Sequence, residues 1–114
     1  MNDWRELKMM IKALTGVARL TIVYHLAHRD EITVTELTDM LGLSQPLVSW
    51  HLRKLRRAGF IGTRRIGRQV YCFLDKVRFH NLLQKLETLI DPAIQVESFP
   101  FGDTLLEAEA IADE

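Results

Sequence analysis

The sequence lacks several features that would point to particular classes of protein. It contains one cysteine, Cys72, which can form neither an internal disulfide nor a multi-thiolate metal site within one chain. No apolar run approaches the roughly 20 residues that span a bilayer, and no basic region followed by an apolar stretch opens the chain. We therefore expect a cytoplasmic protein with no membrane partner. The sequence shows no glycine-rich phosphate loop and no recognisable Ser-His-Asp arrangement, so no enzyme activity and no cofactor are indicated.

The composition is that of one folded domain, with 114 residues of which 47% are hydrophobic and 26% are charged. The 15 basic and 15 acidic residues balance, but they are separated along the chain. Residues 92–114 hold six acidic residues and no basic one, whereas residues 44–78 hold nine basic residues and only Asp75 as an acid. A basic stripe of this kind is typical of a surface that binds a polyanion, although an ordinary solvated surface has the same composition.

The spacing of apolar residues predicts five helices. The second apolar set is dense, and we expect that helix to be the central core helix, buried on more than one side. Thr33 and Glu36 have the spacing of a capping box, and Ser44 and Asp75 are suited to cap later helices. The predicted helices cover residues 4–14, a segment from Val17 to the break at 27–30, about two turns after Thr33 that end at Gly42, a segment from Ser44 to Gly59, and residues 76–90.

Residues 60–74 change to the pattern of a β-hairpin, with Gly67 and Arg68 as a two-residue turn. Cys72 shares its side of the second strand with Val70 and Leu74, so we expect it to be packed inside. The order of four helices, a hairpin and a helix predicts a mainly α protein with a β-hairpin wing (α+β), the winged helix-turn-helix fold. We expect residues 1–91 to form this domain and residues 92–114 to form an acidic tail, with a possible short helix over 104–112.

The helix that follows Ser44 has one inward face, on which Val48, Leu52 and Leu55 lie, and an opposite polar face. The polar face and the hairpin tip together suit contacts with DNA bases and phosphates, although an exposed Trp50 would also suit burial in a protein partner. For His51 the more ordinary role is a hydrogen bond that orients the helix. The predicted DNA-binding residues are Ser44, Gln45, Pro46, Ser49, Trp50, His51, Arg53, Lys54 and Arg57 of the helix and Arg64, Arg65, Arg68 and Gln69 of the wing.

Three segments carry a resemblance to a known family: LGLSQPLVSWHLRKL at residues 41–55, AGF at 58–60 and RIGRQVY at 65–71. Over residues 5–91 the chain resembles the ArsR/SmtB type of bacterial winged-helix repressor. The resemblance implies a homodimer whose first and last helices form the interface and whose recognition helices enter a palindromic double-stranded DNA operator. The apolar stripes of those two helices agree with an interface made by Trp4, Leu7, Met10, Ile11, Leu14, Phe79, Leu82, Leu83, Leu86, Leu89 and Ile90.

Many members of that family sense metals, but the family's ligand positions are changed in this sequence. Thr33 and Thr35 stand where cysteines are expected, and neutral hydroxyls are poor ligands for thiophilic metals. At a second family site Asp75 and Asp91 remain, but Val77 and Thr88 occupy the histidine positions. His25 and His28 have a spacing that can chelate a metal but no partner motif, and His80 could contribute a ligand, although a structural role is the more ordinary one. We therefore predict no metal site, and the effector is unknown.

Two classes of function remain open from the sequence: a sequence-specific dimeric repressor, and a winged helix that binds proteins and not DNA. The basic stripe favours the repressor, because a protein-interaction module has no need of it. One further hypothesis is that the acidic tail folds back and competes with DNA for the basic surface.

Overall fold

A computed structural model describes residues 4–93 of the chain. Within that range the helix bounds agree with the sequence prediction. The elements are α1 Trp4–Leu14, α2 Val17–His28, β1 Ile32–Thr33, α3 Val34–Leu41, α4 Gln45–Arg57, β2 Ile61–Ile66, β3 Gln69–Leu74 and α5 Lys76–Ile90. No helix in this part of the chain is long and apolar enough to cross a membrane.

Local capping signals define the ends of the helices around the helix-turn-helix. The Thr33 hydroxyl accepts a hydrogen bond from the Glu36 backbone N–H at 3.1 Å, and the Glu36 carboxylate accepts one from the Thr33 N–H, which confirms the capping box. α3 ends at Gly42, whose φ of 67° is the left-handed conformation that glycine adopts without strain. Ser44 caps α4 and Asp75 caps α5.

The wing is part of a three-stranded antiparallel sheet in the order β1-β3-β2. β2 and β3 form the predicted hairpin, and only Gly67 of its two-residue turn has a positive φ, as in a type II′ turn. The third strand, β1, was not predicted: Ile32 lies opposite Cys72 and Thr33 lies opposite Tyr71. The sheet therefore joins the segment between α2 and α3 to the wing.

The core lies between the helices and the base of the wing. Val48, Leu52 and Leu55 of α4 are buried, as predicted, and pack with Phe60, Ile22 and Leu37. Cys72 is also fully buried, which confirms that it packs inside, and burial raises the pKa of its thiol to about 11. The wing base is thus anchored to the same core that supports α4.

The burial predicted for α2 is wrong. Only Ile22 and Leu26 of this helix are buried, whereas Val17 is 82% exposed, and Leu20 and Tyr24 are exposed as well. α2 therefore packs through one face, because α1, α3, α4 and β3 contact it there and Val17, Leu20 and Tyr24 stay exposed on the other. The predicted acidic tail begins with the turn at residues 92–93, and its remaining residues, with the possible helix over 104–112, lie outside the described part of the chain.

Candidate nucleic-acid interface

An open cleft of about 420 Å³ lies between α4 and the wing. Gln45, Ser49 and Arg53 line it from α4, and Arg65 and Arg68 line it from the wing. With Gln69 of the wing, the cleft thus brings together, from two segments of the chain, six of the side chains that the sequence indicates for DNA contact. Amide, hydroxyl and guanidinium groups of this kind bond to base edges and to phosphates.

Arg56 and Thr63 also line this cleft, although neither is among the residues predicted for DNA contact. Arg56, one turn after Arg53, lies on the same face of α4 and donates from Nη1 to the Thr63 hydroxyl of β2 at 3.5 Å. The spacing of seven residues from Ser49 to Arg56 could have identified it, because residues seven apart share a helix face. Arg56 connects the recognition helix to the wing and adds a positive charge to the cleft.

Some of the predicted DNA-binding residues of α4 lie outside this cleft. Trp50, Lys54 and Arg57 line a second groove, which α4 shares with α1. The Arg19 guanidinium carbon lies 5.0 Å from the centre of the Trp50 ring, and the Lys54 ammonium lies 5.5 Å from it, so two cations flank the indole. The face predicted as one DNA-binding patch is therefore divided between two surfaces.

His51 is placed as a structural residue. It is half-buried, and its Nδ1 accepts a hydrogen bond from Arg19 Nε at 3.2 Å, which confirms the predicted bond. Burial, and next the charge of Arg19, hold the pKa of His51 below its ordinary 6.5, so the neutral ring is the form that fits. Its inclusion among the DNA contacts is not supported by this position, because the ring is engaged with α2.

Arg64 differs from the other wing arginines. Its guanidinium donates two hydrogen bonds to the Glu31 carboxylate, at 2.6 and 2.7 Å, and it lies 5.7 Å from the centre of the Tyr71 ring. The pair raises the pKa of Arg64 and lowers that of Glu31. Since alternate residues of a strand point to opposite faces, Arg65 lines the cleft and Arg64 does not. Arg64 therefore fastens the wing to the segment before β1, which is a different role from the predicted DNA contact.

Three predicted DNA-binding residues remain, of which only Gln69 lines the cleft. Ser44 and Pro46 are exposed at the first turn of α4, where the Ser44 hydroxyl accepts from the Leu47 N–H at 3.4 Å. Gln69 is exposed and lines the cleft at the start of β3.

The residues predicted for the dimer interface fall into three groups. Trp4, Leu7, Met10 and Leu82 are buried in the core of the chain itself, because α1 packs along α5, so they are not available to a second copy. Partly buried against that core are Leu14, Phe79 and Leu86. An apolar face remains exposed on the two terminal helices, and it consists of Ile11, Leu83, Leu89 and Ile90.

The residues at the family's metal positions do not fit a metal ion. The Thr33 hydroxyl is used in the capping box, and it also donates to Glu36 at 3.1 Å. Arg29 donates to the same Glu36 carboxylate at 2.8 Å, and this bond is the main reason for the lowered pKa of Glu36. At the second position Asp75 caps α5, and Asp91 accepts from the Ala93 N–H. Within residues 4–93 no three His, Cys, Asp or Glu side chains lie close enough together to hold a metal ion.

The fold and the cleft define the class of the protein: a winged helix-turn-helix DNA-binding regulator. Residues 17–63 match the family model described as "Bacterial regulatory protein, arsR family". The chain belongs to the ArsR family, whose members are transcriptional regulators and not enzymes.

Relatives of known name support this assignment. The cadmium resistance transcriptional regulatory protein CadC of Listeria innocua is 32% identical over 82 residues, which cover 72% of this chain and 69% of the relative. The transcriptional activator HlyU of Vibrio cholerae is 33% identical over 87 residues, which cover 76% of this chain and 80% of the relative. The structure is also similar to that of the repressor BigR of Xylella fastidiosa, with a TM-score of 0.60, 31% identity and coverage of 76% of this chain and 88% of BigR.

Proposed function

We propose that this protein is a homodimeric transcriptional repressor that binds a palindromic operator in double-stranded DNA. In this proposal α4 enters the major groove, and the tip of the wing contacts the DNA backbone. The observation that carries the proposal is the cleft in which Gln45, Ser49 and Arg53 of α4 face Arg65 and Arg68 of the wing. A regulator of this kind acts in the cytoplasm, where the DNA is.

The division of labour within the cleft follows from the chemistry of the side chains. Arg53 and Gln45 end in groups that form paired hydrogen bonds with the edges of guanine and adenine. Arg65 and Arg68 lie in the wing, near the turn at Gly67, where they suit the phosphates on either side of the groove. Repression is the expected outcome if the operator overlaps a promoter, because a bound dimer then excludes other proteins from it.

The proposed dimer forms through the exposed apolar face of Ile11, Leu83, Leu89 and Ile90. Leu83 is 55% exposed and Ile90 is 78% exposed, although both belong to a helix that packs on the core. A two-fold axis beside α5 would bury this face against its own copy and place two recognition helices about 34 Å apart, one turn of DNA.

Selection of bound fragments from random or genomic DNA, followed by footprinting, tests the DNA-binding part of the proposal. We expect protection of a palindrome whose half-sites are centred one helical turn, or a multiple of it, apart. Uniform binding to all fragments would contradict sequence-specific recognition. No binding to DNA, together with capture of a defined protein partner through Trp50, would favour a protein-interaction module.

Sedimentation tests the dimer. We expect the natural chain to sediment as a dimer at micromolar concentration and the variant Leu83→Glu/Ile90→Glu to sediment as a folded monomer, because a charge pair of equal sign would be buried at the interface. The matched control is Val17→Glu, which changes an exposed apolar residue of α2 and should leave the dimer intact. A natural chain that remains monomeric would contradict this part of the proposal.

A further inference from the structure

The groove that α4 shares with α1 has a volume of about 1010 Å³ and combines an apolar floor with a basic rim. Leu89 in the last turns of α5 closes one side of it. Among the described residues that line the groove, none is acidic. The exposed part of the floor includes Met9, Ile11 and Trp50, and the rim includes Lys12, Lys54 and Arg57.

We propose that residues 94–114, the acidic segment, dock in this groove of their own chain and so compete with DNA for α4. The competition with DNA rests on the proposed function, whereas the docking itself does not. In this proposal a segment of the same chain occupies the groove. The segment leaves the groove before DNA binds or as it binds.

The composition of residues 94–114 complements the groove in both charge and polarity. The segment has six acidic residues and no basic one, opposite a rim that holds only cations. It also carries large apolar side chains, Phe99, Phe101, Leu105 and Leu106, which an apolar floor can take up. A purely acidic segment would need only a charged surface, and a purely apolar one would not select this basic groove.

The described part of the chain ends close to the groove. α5 ends at Ile90, one residue after Leu89, and the turn at residues 91–93 follows. An extended chain spans about 3.3 Å per residue, so ten residues reach roughly 30 Å, which is comparable with the 28 Å middle extent of the molecule. Because the segment is tethered, docking is intramolecular and corresponds to an effective concentration on the order of millimolar.

Docking would cover part of the recognition helix. Trp50, Lys54 and Arg57 all lie on α4, the helix that enters the major groove in the proposed function, so a segment docked on them would cover basic side chains beside the DNA. We place the segment on the α4 side of the groove, because Ile11 and Leu89 also belong to the proposed dimer face. The two polyanions then compete for one set of cations, and the competition weakens as salt rises.

A spin label on the full chain tests the docking. The variant Ala110→Cys provides the site for a nitroxide, since the natural Cys72 is buried and burial raises its thiol pKa to about 11. The unmutated chain, treated with the same reagent, is the labelling control. We expect broadening of the backbone amide NMR signals of Met9, Lys12 and Arg57, and its loss in 1 M salt, where the screening length is about 3 Å.

Two results of this measurement would overturn the docking proposal. One is the absence of broadening around the groove at low salt. The other is broadening of the same signals in an isotope-labelled chain that carries no nitroxide, when it is mixed with a nitroxide-labelled chain that carries no isotope, because this would mean that the segment of a partner subunit occupies the groove.

DNA affinity tests the competition, with two full-length variants as a matched pair. The first replaces the six acids of residues 94–114 by their amides, and the second keeps all six acids but changes Phe99, Phe101, Leu105 and Leu106 to serine. We expect both to bind DNA about tenfold more tightly than the natural chain at low salt, since either change removes an intramolecular competitor. Tighter binding by the amide variant alone would overturn the proposal in favour of long-range repulsion. If no form binds DNA, the proposed function fails, and the spin-label result still decides whether the segment docks.

Discussion

The polar side chains of α4 divide between two surfaces, and this division separates the residues that face the wing from those that face α1. Gln45, Ser49 and Arg53 line the cleft beside the wing, whereas Trp50 and Lys54 line the groove beside α1. Only the first set shares a surface with the wing arginines. We infer that sequence preference resides in that set.

The first prediction concerns the difference between reading bases and holding phosphates. Arg53→Ala or Gln45→Ala should weaken operator binding by about 1–3 kcal/mol and relax the preference at particular base pairs. Arg65→Ala or Arg68→Ala should weaken binding to operator and scrambled DNA alike and reduce the salt slope by roughly one unit per lost phosphate contact. Binding to both DNAs across a salt series measures these effects.

Arg64→Ala is the control for the wing variants, since it removes the same charge from the adjacent position of β2. Arg64 is bonded to Glu31 and lies outside the cleft, so we expect its salt slope to equal that of the natural chain. The opposite result would be a uniform loss of affinity in the α4 variants and a changed base preference in the wing variants. It would mean that the wing reads the bases and that α4 contacts the phosphates.

The second prediction concerns His51 and pH. Because burial and the charge of Arg19 hold its pKa in the folded chain below 6.5, the unfolded chain takes up a proton first as pH falls. His51 should therefore cost the folded state stability as pH falls below about 6.5, and no cost should remain at higher pH. His51→Asn keeps an acceptor for Arg19 and does not titrate, so the difference in Tm between the two proteins should change between pH 8 and pH 5.5. A difference in Tm that stays constant with pH would contradict the lowered pKa of His51 in the folded chain.

At the scale of elements, the segment between α2 and α3 is bound to the wing at several points. Glu31 pairs with Arg64 of β2, Ile32 lies opposite Cys72 of β3, and Thr33 caps α3. This short segment therefore sets the position of the wing relative to α3 and α4. The same segment includes Thr33, which stands at one of the family's metal-ligand positions.

The third prediction tests the capping box. Thr33→Ala should lower the free energy of unfolding by about 1 kcal/mol, because the partly buried Glu36 N–H loses its acceptor. Thr35→Ala is the matched control: Thr35 is exposed, and its change should have little effect on stability. Urea unfolding of the three proteins measures the difference, and equal losses from both variants would show that the cap does not stabilise α3.

The ends of the helices were predictable because each rests on a signal within a few residues. Thr33 with Glu36, Ser44, Gly67 and Asp75 all have the roles that their positions in the sequence indicate. β1 was not predictable, since it has two residues and its partner is β3, distant in the chain. The error on α2 has a similar origin: apolar density shows that a helix packs, but not how many neighbours cover it.

Part of the candidate site was also predictable, because it depends on the local periodicity of α4. Periodicity placed Val48, Leu52 and Leu55 inside, and the opposite face followed from it. It did not show that Arg64 pairs with Glu31, 33 residues earlier, or that Arg19 engages His51 across two helices. Contacts between distant segments decide which polar residues remain available, and no local pattern contains them.

At the scale of the molecule, recognition of DNA and response to metals are separate properties, and this chain retains the features of the first. Its cleft carries four arginines, whereas the hydroxyl of Thr33, at the ligand position, is engaged in a helix cap. We therefore expect any signal that releases the protein from DNA to act through groups other than the family's thiolates.

The fourth prediction follows from that separation. Zinc, cadmium or arsenite at micromolar concentration should not release the protein from a preformed operator complex, since threonine hydroxyls do not bind such ions well. Fluorescence anisotropy of labelled operator measures release, and excess unlabelled operator serves as the positive control. Release by micromolar metal would show that other groups bind the ion.

The pairing of β1 with β3 also has a consequence for the order in which the chain folds. Ile32 and Cys72 are 40 residues apart in the sequence, whereas the β2–β3 hairpin closes through a two-residue turn. The entropy of closing a loop grows with its length, so local pairs precede distant ones. On a ribosome, α3 and α4 emerge before the strand that fixes the wing against them exists. We expect hydrogen exchange during refolding to protect the amides of the hairpin first and those of Ile32 and Thr33 last, which would make the final step of folding the one that positions the DNA-binding surface.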